Sequence, residues 1–336
     1  MGYEAKTERY DKMTYHKAGR TGLRLPAISL GLWYQFGAAY SPENARSMLR
    51  AAFDAGIVHF DLANNYGPPP GSAEEMFGRM LKTDFAPYRD ELVISTKAGY
   101  DMWKGPYGNG GSKKHLTASL NQSLKRLGLD YVDLFYSHRP DPETPLEETM
   151  ETLAGFVRQG KALYAGLSNY SPEETERAAD LLQQLGVRLA IHQTRYSMFH
   201  RDPEKGLLDV LDKKGAGCIA FAPLAQGLLT TKYVSGIPET SRAKDANSPF
   251  LQTEHITERA VSKAQRLNNI AKERGQSLPQ MALSWLLKDA RMTSVLIGAS
   301  RAQQIEENVQ ALQSADFSNE ELSAIEFILS EKNEGE

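Results

Sequence analysis

The chain has 336 residues, with 41% hydrophobic and 24% charged side chains, the balance of a folded globular protein rather than a disordered one. A formal net charge of −3 lacks the basic excess of a dedicated nucleic-acid binder, and no run approaches ~18 consecutive apolar residues, so no membrane insertion is expected. The start MGYEAKTERYDKM has no apolar secretory core, Lys6 stands where a myristoylation pattern needs Ser or Thr, and the single cysteine, Cys218, cannot form an internal disulfide. The expected setting is the cytoplasm.

The first predicted element is a hairpin over about 13–27, with GRTG as its turn. From about residue 40 one unit then recurs: an amphipathic helix, a stopping glycine, and an apolar run. Ser41-Pro42 reads as N-cap and first helical position, Ala45, Met48, Leu49, Ala52 and Phe53 form one helix face, and Gly56 precedes VHFDLA (58–63). Next come LVISTKAG (92–99), then the Leu116, Leu120, Leu124 and Leu127 face, Gly128 and YVDLFYSH (131–138). Leu146, Met150, Leu153 and Val157 lead through Gly160 to ALYAGLSN (162–169), and a helix starting at Ser171-Pro172 leads through Gly186 to LAIHQTRY (189–196). Leu207, Leu208 and Leu211 lead through Gly215 to GCIAFAPL (217–224). A polar loop (about 225–255) and two helices (about 256–275 and 278–288) precede TSVLIGAS (293–300), and Ser318 caps a final helix. With AISLGLW (27–33) this makes eight strands, apolar throughout as parallel strands covered on both faces are. A closed (β/α)8 TIM barrel of α/β class fits best, and a doubly wound open sheet is the alternative. One domain spans 1–336: hairpin, barrel at about 27–315, and C-terminal extra helix and tail at about 316–336.

Polar residues inside apolar strands are costly unless they are used. Asp61, Lys97, His138, Ser168-Asn169 and Gln193 fall at carboxyl ends of strands, the active-site face of such a barrel. Asp61, Lys97 and His138 come from successive strands, and Tyr66 follows Asp61 in the loop NNYGPPPG. A lysine ammonium about 4 Å from a phenol favours the phenolate by ~4 kcal/mol, so Lys97 is expected to draw the Tyr66 pKa toward neutrality. The four describe an acid for a carbonyl oxygen.

FDLANNYG (60–67), Lys97 in STKAG and His138 in LFYSHRPD resemble the catalytic signature of the aldo-keto reductases. LSN (167–169), HQTRYSMFHR (192–201), AFAPLAQGLLTTKY (220–233) and LIGASRAQQIEENV (296–309) resemble that family's cofactor segments in the same order. Within the family the chain looks most like the bacterial L-glyceraldehyde 3-phosphate reductases, close to the potassium-channel beta subunits. The resemblance implies NADPH-dependent reduction of a small aldehyde such as L-glyceraldehyde 3-phosphate, and of methylglyoxal, by hydride transfer. Tyr66 would be the proton donor, tuned by Lys97 and Asp61, with His138 orienting the carbonyl. Ser168, Asn169 and Gln193 would hold the nicotinamide carboxamide, and Phe221 stands where the family stacks a tyrosine. Trp33 and Asp61 would border the same ring. Ala222, Pro223, Leu224, Gln226 and Gly227 would line the pyrophosphate, with Lys232 and Arg242 nearby. Gly298, Ser300, Gln304, Glu307 and Asn308 would hold the adenosine end. Many relatives carry basic residues at the 2′-phosphate where this chain has Gln304, so Ser300, Arg242 and Arg301 are its expected phosphate partners. No G-x-G-x-x-G follows a strand, so a Rossmann site is not supported. The subgroup also implies a homo-oligomer, a tetramer or octamer. The alternatives are a redox-sensing, NADPH-holding regulatory subunit with little turnover, or an unrelated barrel hydrolase.

Trp33, Tyr34, Trp103 and Tyr100 are expected to wall the substrate pocket. A substrate phosphate could be taken by the helix start beside Lys113-Lys114 or by Arg139. Several polar residues have plainer readings: His59 and His192 as structural strand histidines, Glu74-Glu75 as an exposed first helical turn, Ser300 with Gln303 as a capping box. No Cys/His cluster has metal-ligand spacing, so no metal is expected.

Overall fold

The computed structural model describes residues 2–230, 256–314 and 316–331. Strands β1 (Tyr15–Lys17) and β2 (Arg24–Pro26) form the antiparallel hairpin. Eight further strands close a parallel barrel in the order β10-β3-β4-β5-β6-β7-β8-β9. They are β3 (Ile28–Gly31), β4 (His59–Asp61), β5 (Val93–Ala98), β6 (Val132–Ser137), β7 (Ala162–Ser168), β8 (Leu189–Arg195), β9 (Gly217–Phe221) and β10 (Met292–Ile297). All eight lie within the expected runs or one residue outside them. All eight are shorter than those runs, whose remaining residues belong to the flanking loops. The closed ring replaces the doubly wound alternative.

The helices are α1 (Pro42–Asp54), α2 (Ser72–Thr83), α3 (Lys113–Leu127), α4 (Leu146–Arg158), α5 (Pro172–Gln184), α6 (Leu207–Lys214), α7 (Glu258–Glu273), α8 (Leu278–Leu287), α9 (Ala302–Val309) and α10 (Asn319–Ser330). On α1 the buried residues are Ala45, Met48, Leu49, Ala52 and Phe53, each large one stabilising by roughly 1.5–3 kcal/mol on burial. Side-chain oxygens of Ser41, Ser112, Ser171, Thr257, Ser277 and Ser318 accept hydrogen bonds from backbone amides at helix starts, worth ~1 kcal/mol apiece.

Two apolar cores follow from this layering. The larger lies between strands and helices, and the smaller lies inside the barrel, where Leu134, Tyr136, Ile191, Ile219 and Leu296 meet Ala18, Leu23 and Leu25 of the hairpin. The hairpin therefore closes the amino end of the barrel. It seats so tightly that a Cβ on Gly19, at φ 54°, would stand 2.1 Å from the Gly215 carbonyl oxygen. With that end shut, the carboxyl end is the open mouth.

Two expectations need correction. Glu74 is not on an exposed turn: it is fully buried, accepting from Thr96 Oγ1 at 2.5 Å and Arg126 Nε at 2.8 Å. The Arg126 side chain on α3 supplies the charge that allows this burial, and residue spacing on α2 alone does not reveal it. Helix α9 begins after Arg301 without a side-chain cap. Ser300 donates from N and Oγ to Gln304 Oε1 at 2.8 and 3.1 Å, so its partner is Gln304 rather than Gln303.

Candidate active site

Strand register brings the polar strand ends together: Gly31 lies opposite Asp61, Asp61 opposite Ser95, Lys97 opposite Tyr136, and Ser168 opposite Gln193. Lys97 is fully buried and aims its three hydrogens at Asp61 Oδ2 (2.5 Å), the Leu62 carbonyl (2.7 Å) and the Tyr66 hydroxyl (3.5 Å). Asp61 also accepts from Ser95 Oγ at 2.6 Å and Gln193 Nε2 at 3.2 Å. The Tyr66 ring lies 6.0 Å from the His138 ring and 6.4 Å from Trp33. Four residues from three strands and one loop thus share one spot at the barrel mouth.

The electrostatics differ from expectation. Burial and the Asp61 charge hold the Tyr66 phenol well above its ordinary value. The expectation counted a bare ammonium, but Asp61 at 2.5 Å already neutralises Lys97, so the phenol faces an ion pair and desolvation decides. Burial also lowers Lys97, opposed by Asp61. His138 is driven well below the usual histidine value by burial, then by Lys97 and Arg139. At neutral pH the site therefore presents a protonated phenol and a neutral imidazole whose buried Nδ1 has no hydrogen-bond partner.

Around this spot, Asn169 sits at φ 63° and donates from Nδ2 to the His138 carbonyl and Ser168 Oγ, both at 3.0 Å. Beyond β9, Ala222, Ala225 and Gln226 all have left-handed φ, from 47° to 59°, each a strained conformation costing of order 1 kcal/mol or more. Phe221, Pro223, Leu224 and Gly227 complete that turn, with Gly227 N donating to the Leu224 carbonyl at 2.9 Å. Gly298 and Ser300 follow β10, the Glu307 carbonyl accepts from Gln280, and Asn308 is buried on α9. Lys232 and Arg242 lie outside the described residues. The amides and hydroxyl of Ser168, Asn169 and Gln193, beside the unmatched His138 nitrogen, fit a nicotinamide carboxamide in chemistry.

On the substrate side, Tyr100 packs edge-on to His138 at 4.6 Å, and Arg139 lies 5.4 Å from the Tyr100 ring. Tyr34 packs edge-on to Trp33, with ring centres 4.7 Å apart. Trp103 instead packs on His115 of α3, at 5.1 Å. The helix start beside Lys113 is already occupied by the chain's own carboxylates: Glu148 Oε1 accepts from Lys113 N at 2.9 Å and Asp141 Oδ2 from Gly111 N at 2.7 Å. That expected anion site is therefore filled, and Arg139 is left as the cation beside His138. Among the described residues no His, Cys, Asp and Glu group could hold a metal ion, and no helix is long and apolar enough to cross a membrane.

A model of the Aldo/keto reductase family matches residues 27–330. The chain belongs to the aldo/keto reductase family. It is an oxidoreductase, and members generally use NAD(P)H. An L-glyceraldehyde 3-phosphate reductase of Escherichia coli (strain K12) is 60% identical over 97% of this chain and 95% of its own length. Probable voltage-gated potassium channel beta subunits are 37% identical in Oryza sativa subsp. japonica and 36% in Arabidopsis thaliana, each over 89% of this chain and 91% of their own.

Sequence reasoning overlooked Tyr136, whose ring lies 5.5 Å from Lys97 Nζ. A Cβ on Gly166 would stand 2.4 Å from that ring, so this glycine makes room for it. Ser29, Ser95 and Ser294, buried below Asp61, were also overlooked. Strand alternation could have found Ser95, two residues before Lys97 and therefore on its face.

Proposed function

We propose that this aldo/keto reductase reduces L-glyceraldehyde 3-phosphate, and with it small aldehydes such as methylglyoxal, to alcohols using NADPH. The supporting observation is the pairing of a phenol that keeps its proton, Tyr66, with a neutral, partly unmatched imidazole, His138, over the buried Lys97–Asp61 pair. When bound, the nicotinamide supplies a hydride to the carbonyl carbon. His138 donates to the carbonyl oxygen and orients it. Tyr66 passes its proton to that oxygen, and the Lys97 ammonium, 3.5 Å away, stabilises the phenolate left behind. Ser168, Asn169 and Gln193 would hold the carboxamide, with Phe221 against the ring and Trp33 at its edge. Residues 222–227 would take the pyrophosphate, and Gly298, Ser300, Gln304, Glu307 and Asn308 the adenosine end. Ser300, Arg301 and Arg242 would be the 2′-phosphate partners.

Trp33, Tyr34 and Tyr100 would border the aldehyde, with Trp103 further out, and Arg139 would meet its phosphate. The enzyme would work in the cytoplasm as a homo-oligomer, a tetramer or octamer built of single-domain chains. The test is NADPH consumption with L-glyceraldehyde 3-phosphate, L-glyceraldehyde and methylglyoxal. The reading requires the highest kcat/KM for the phosphate ester, and equal values with and without phosphate would remove the triose-phosphate assignment. A second reading, an NADPH-holding regulatory subunit, draws on the 36–37% identity to channel beta subunits. It requires aldehyde turnover slower than NADP+ release.

A further inference from the structure

The barrel interior has two unlike halves. On the β6–β8 side it is filled by Leu134, Tyr136 and Ile191 below Gln193, which reaches Asp61 at the mouth. On the β10–β3–β4–β5 side, beside Leu296, the inward polar residues are Ser294, Ser29, His59, Asp61, Ser95 and Lys97, every one of these six fully buried. Period-two alternation stacks His59 under Asp61 and Ser95 under Lys97. The apolar half demonstrates that this barrel closes on hydrocarbon side chains. A buried polar half therefore carries a desolvation cost that closure alone does not require.

These groups form one unbroken chain of hydrogen bonds. Ser294 Oγ lies 2.7 Å from Ser29 Oγ, Ser29 Oγ 2.9 Å from His59 Nδ1, and His59 Nε2 2.9 Å from Ser95 Oγ. Ser95 Oγ then donates to Asp61 Oδ1 at 2.6 Å, while Asp61 Oδ2 takes Lys97. The direction of every hydrogen follows. A carboxylate only accepts, and a hydroxyl has one hydrogen. Ser95 spends its hydrogen on Asp61, so its oxygen must accept from His59 Nε2–H. Burial lowers the His59 pKa, so the ring is neutral at neutral pH and accepts at Nδ1 from Ser29, whose oxygen in turn accepts from Ser294 at 2.7 Å. Every bond from Ser29 onward points toward the carboxylate, and Ser294, which also lies 3.4 Å from the Ala27 carbonyl, stands at the start of the chain.

We propose that His59 is a positioning residue for the reaction: fixed as the Nε2–H tautomer, it acts through Ser95 to lock the Asp61 carboxylate in the rotamer that faces Lys97, and so sets Lys97 under Tyr66. His59 is not a catalytic residue, since its ring nitrogens bond to Ser29 and Ser95. The inference rests on the reading of Tyr66 as proton donor, and its tests separate the two.

The first test needs no turnover. Nitrogen-15 NMR of histidine-labelled free protein at neutral pH should show His59 neutral and protonated at Nε2. A ring protonated at Nδ1, or at both nitrogens, would overturn the proposal. The second is kinetic. Ser95→Ala and His59→Phe should each lower kcat about ten- to a hundredfold, the range for removing a partner that orients a functional ligand. KM and the Kd for NADPH should stay within about twofold. His59→Gln, whose amide can accept from Ser29 and donate to Ser95, should recover most of the rate. The double variant His59→Phe/Ser95→Ala should lose no more than Ser95→Ala alone, because His59 acts only through that hydroxyl. Full kcat in Ser95→Ala, no rescue by glutamine, or losses that multiply in the double variant would each refute it. Should His59→Phe fail to fold, Ser95→Ala and His59→Gln still decide. Tyr66→Phe runs alongside: turnover retained there brings down the Tyr66 reading and leaves the tautomer result standing. Turnover lost there but kept in Ser95→Ala overturns the His59 proposal alone.

Discussion

Replacing Lys97 by methionine probes the pair beneath the phenol most severely. The ammonium sits 2.5 Å from Asp61 Oδ2, with both side chains fully buried. At an effective dielectric of 20 that separation is worth ~7 kcal/mol of gross attraction. Most of it offsets the desolvation of two buried ions, so the gross figure is not the net contribution. Removing one partner is a different matter, since the carboxylate stays buried without its counter-charge, at a typical cost of ~3–5 kcal/mol. Ser95 and Gln193 still donate to Asp61, at 2.6 and 3.2 Å, which places Lys97→Met near the lower end, about 3 kcal/mol. Removing the carboxylate as well should restore stability, so Asp61→Leu/Lys97→Met should be more stable than Lys97→Met. Urea unfolding of the parent, Lys97→Met and Asp61→Leu/Lys97→Met without cofactor, compared by midpoint, measures this. A midpoint unchanged in Lys97→Met, or a double variant less stable than Lys97→Met, would refute the reasoning.

Burial drops both His59 and His192 to about 4, against ~6.5 in an unfolded chain. Between those values the unfolded chain binds more protons, so stability is full above pH ~6.5 and declines as pH falls toward 4, by up to ~3 kcal/mol for each histidine. Urea midpoints across that interval should fall on acidification, more steeply in the parent than in His59→Gln. A rise would contradict the sign. Glu74→Ala strands Arg126 and the Thr96 hydroxyl under the site and should cost ~3 kcal/mol, read as a lowered unfolding midpoint. A change below ~0.5 kcal/mol would mean the pair is solvated. Arg139→Ala should raise KM for a triose phosphate about tenfold or more, the worth of a hydrogen bond to a charged group, and leave KM for methylglyoxal unchanged. Equal effects on both would detach Arg139 from the phosphate.

The barrel was legible because five of the eight strand runs follow a helix-ending glycine, Gly56, Gly128, Gly160, Gly186 or Gly215. The grouping of Asp61, Lys97 and His138 followed from placing strand ends side by side in a closed ring. What was not legible depends on partners distant in sequence. Arg126, 52 positions from Glu74, turns an acidic helix start into a buried ion pair. Glu148 and Asp141 fill an amide nest that looked ready for a phosphate. The direction of the Tyr66 shift was misread because the Lys97 ammonium was counted without the Asp61 charge that cancels its field at the phenol. Single serines in apolar strands carry little signal by themselves. Their meaning emerges only when alternation and register set Ser29, Ser95 and Ser294 around His59.

Protonation of the carbonyl oxygen turns on the Tyr66 hydroxyl, and Tyr66→Phe removes that one oxygen while keeping the ring. Steady-state kcat for aldehyde reduction and the Kd for NADPH, measured on the same preparation, separate chemistry from binding. With Tyr66 as proton donor, kcat should fall ~10²- to 10⁴-fold, the scale of a lost general acid, with Kd within about twofold of the parent. A Tyr66→Phe protein that still reduces the aldehyde at the parental rate would contradict that role.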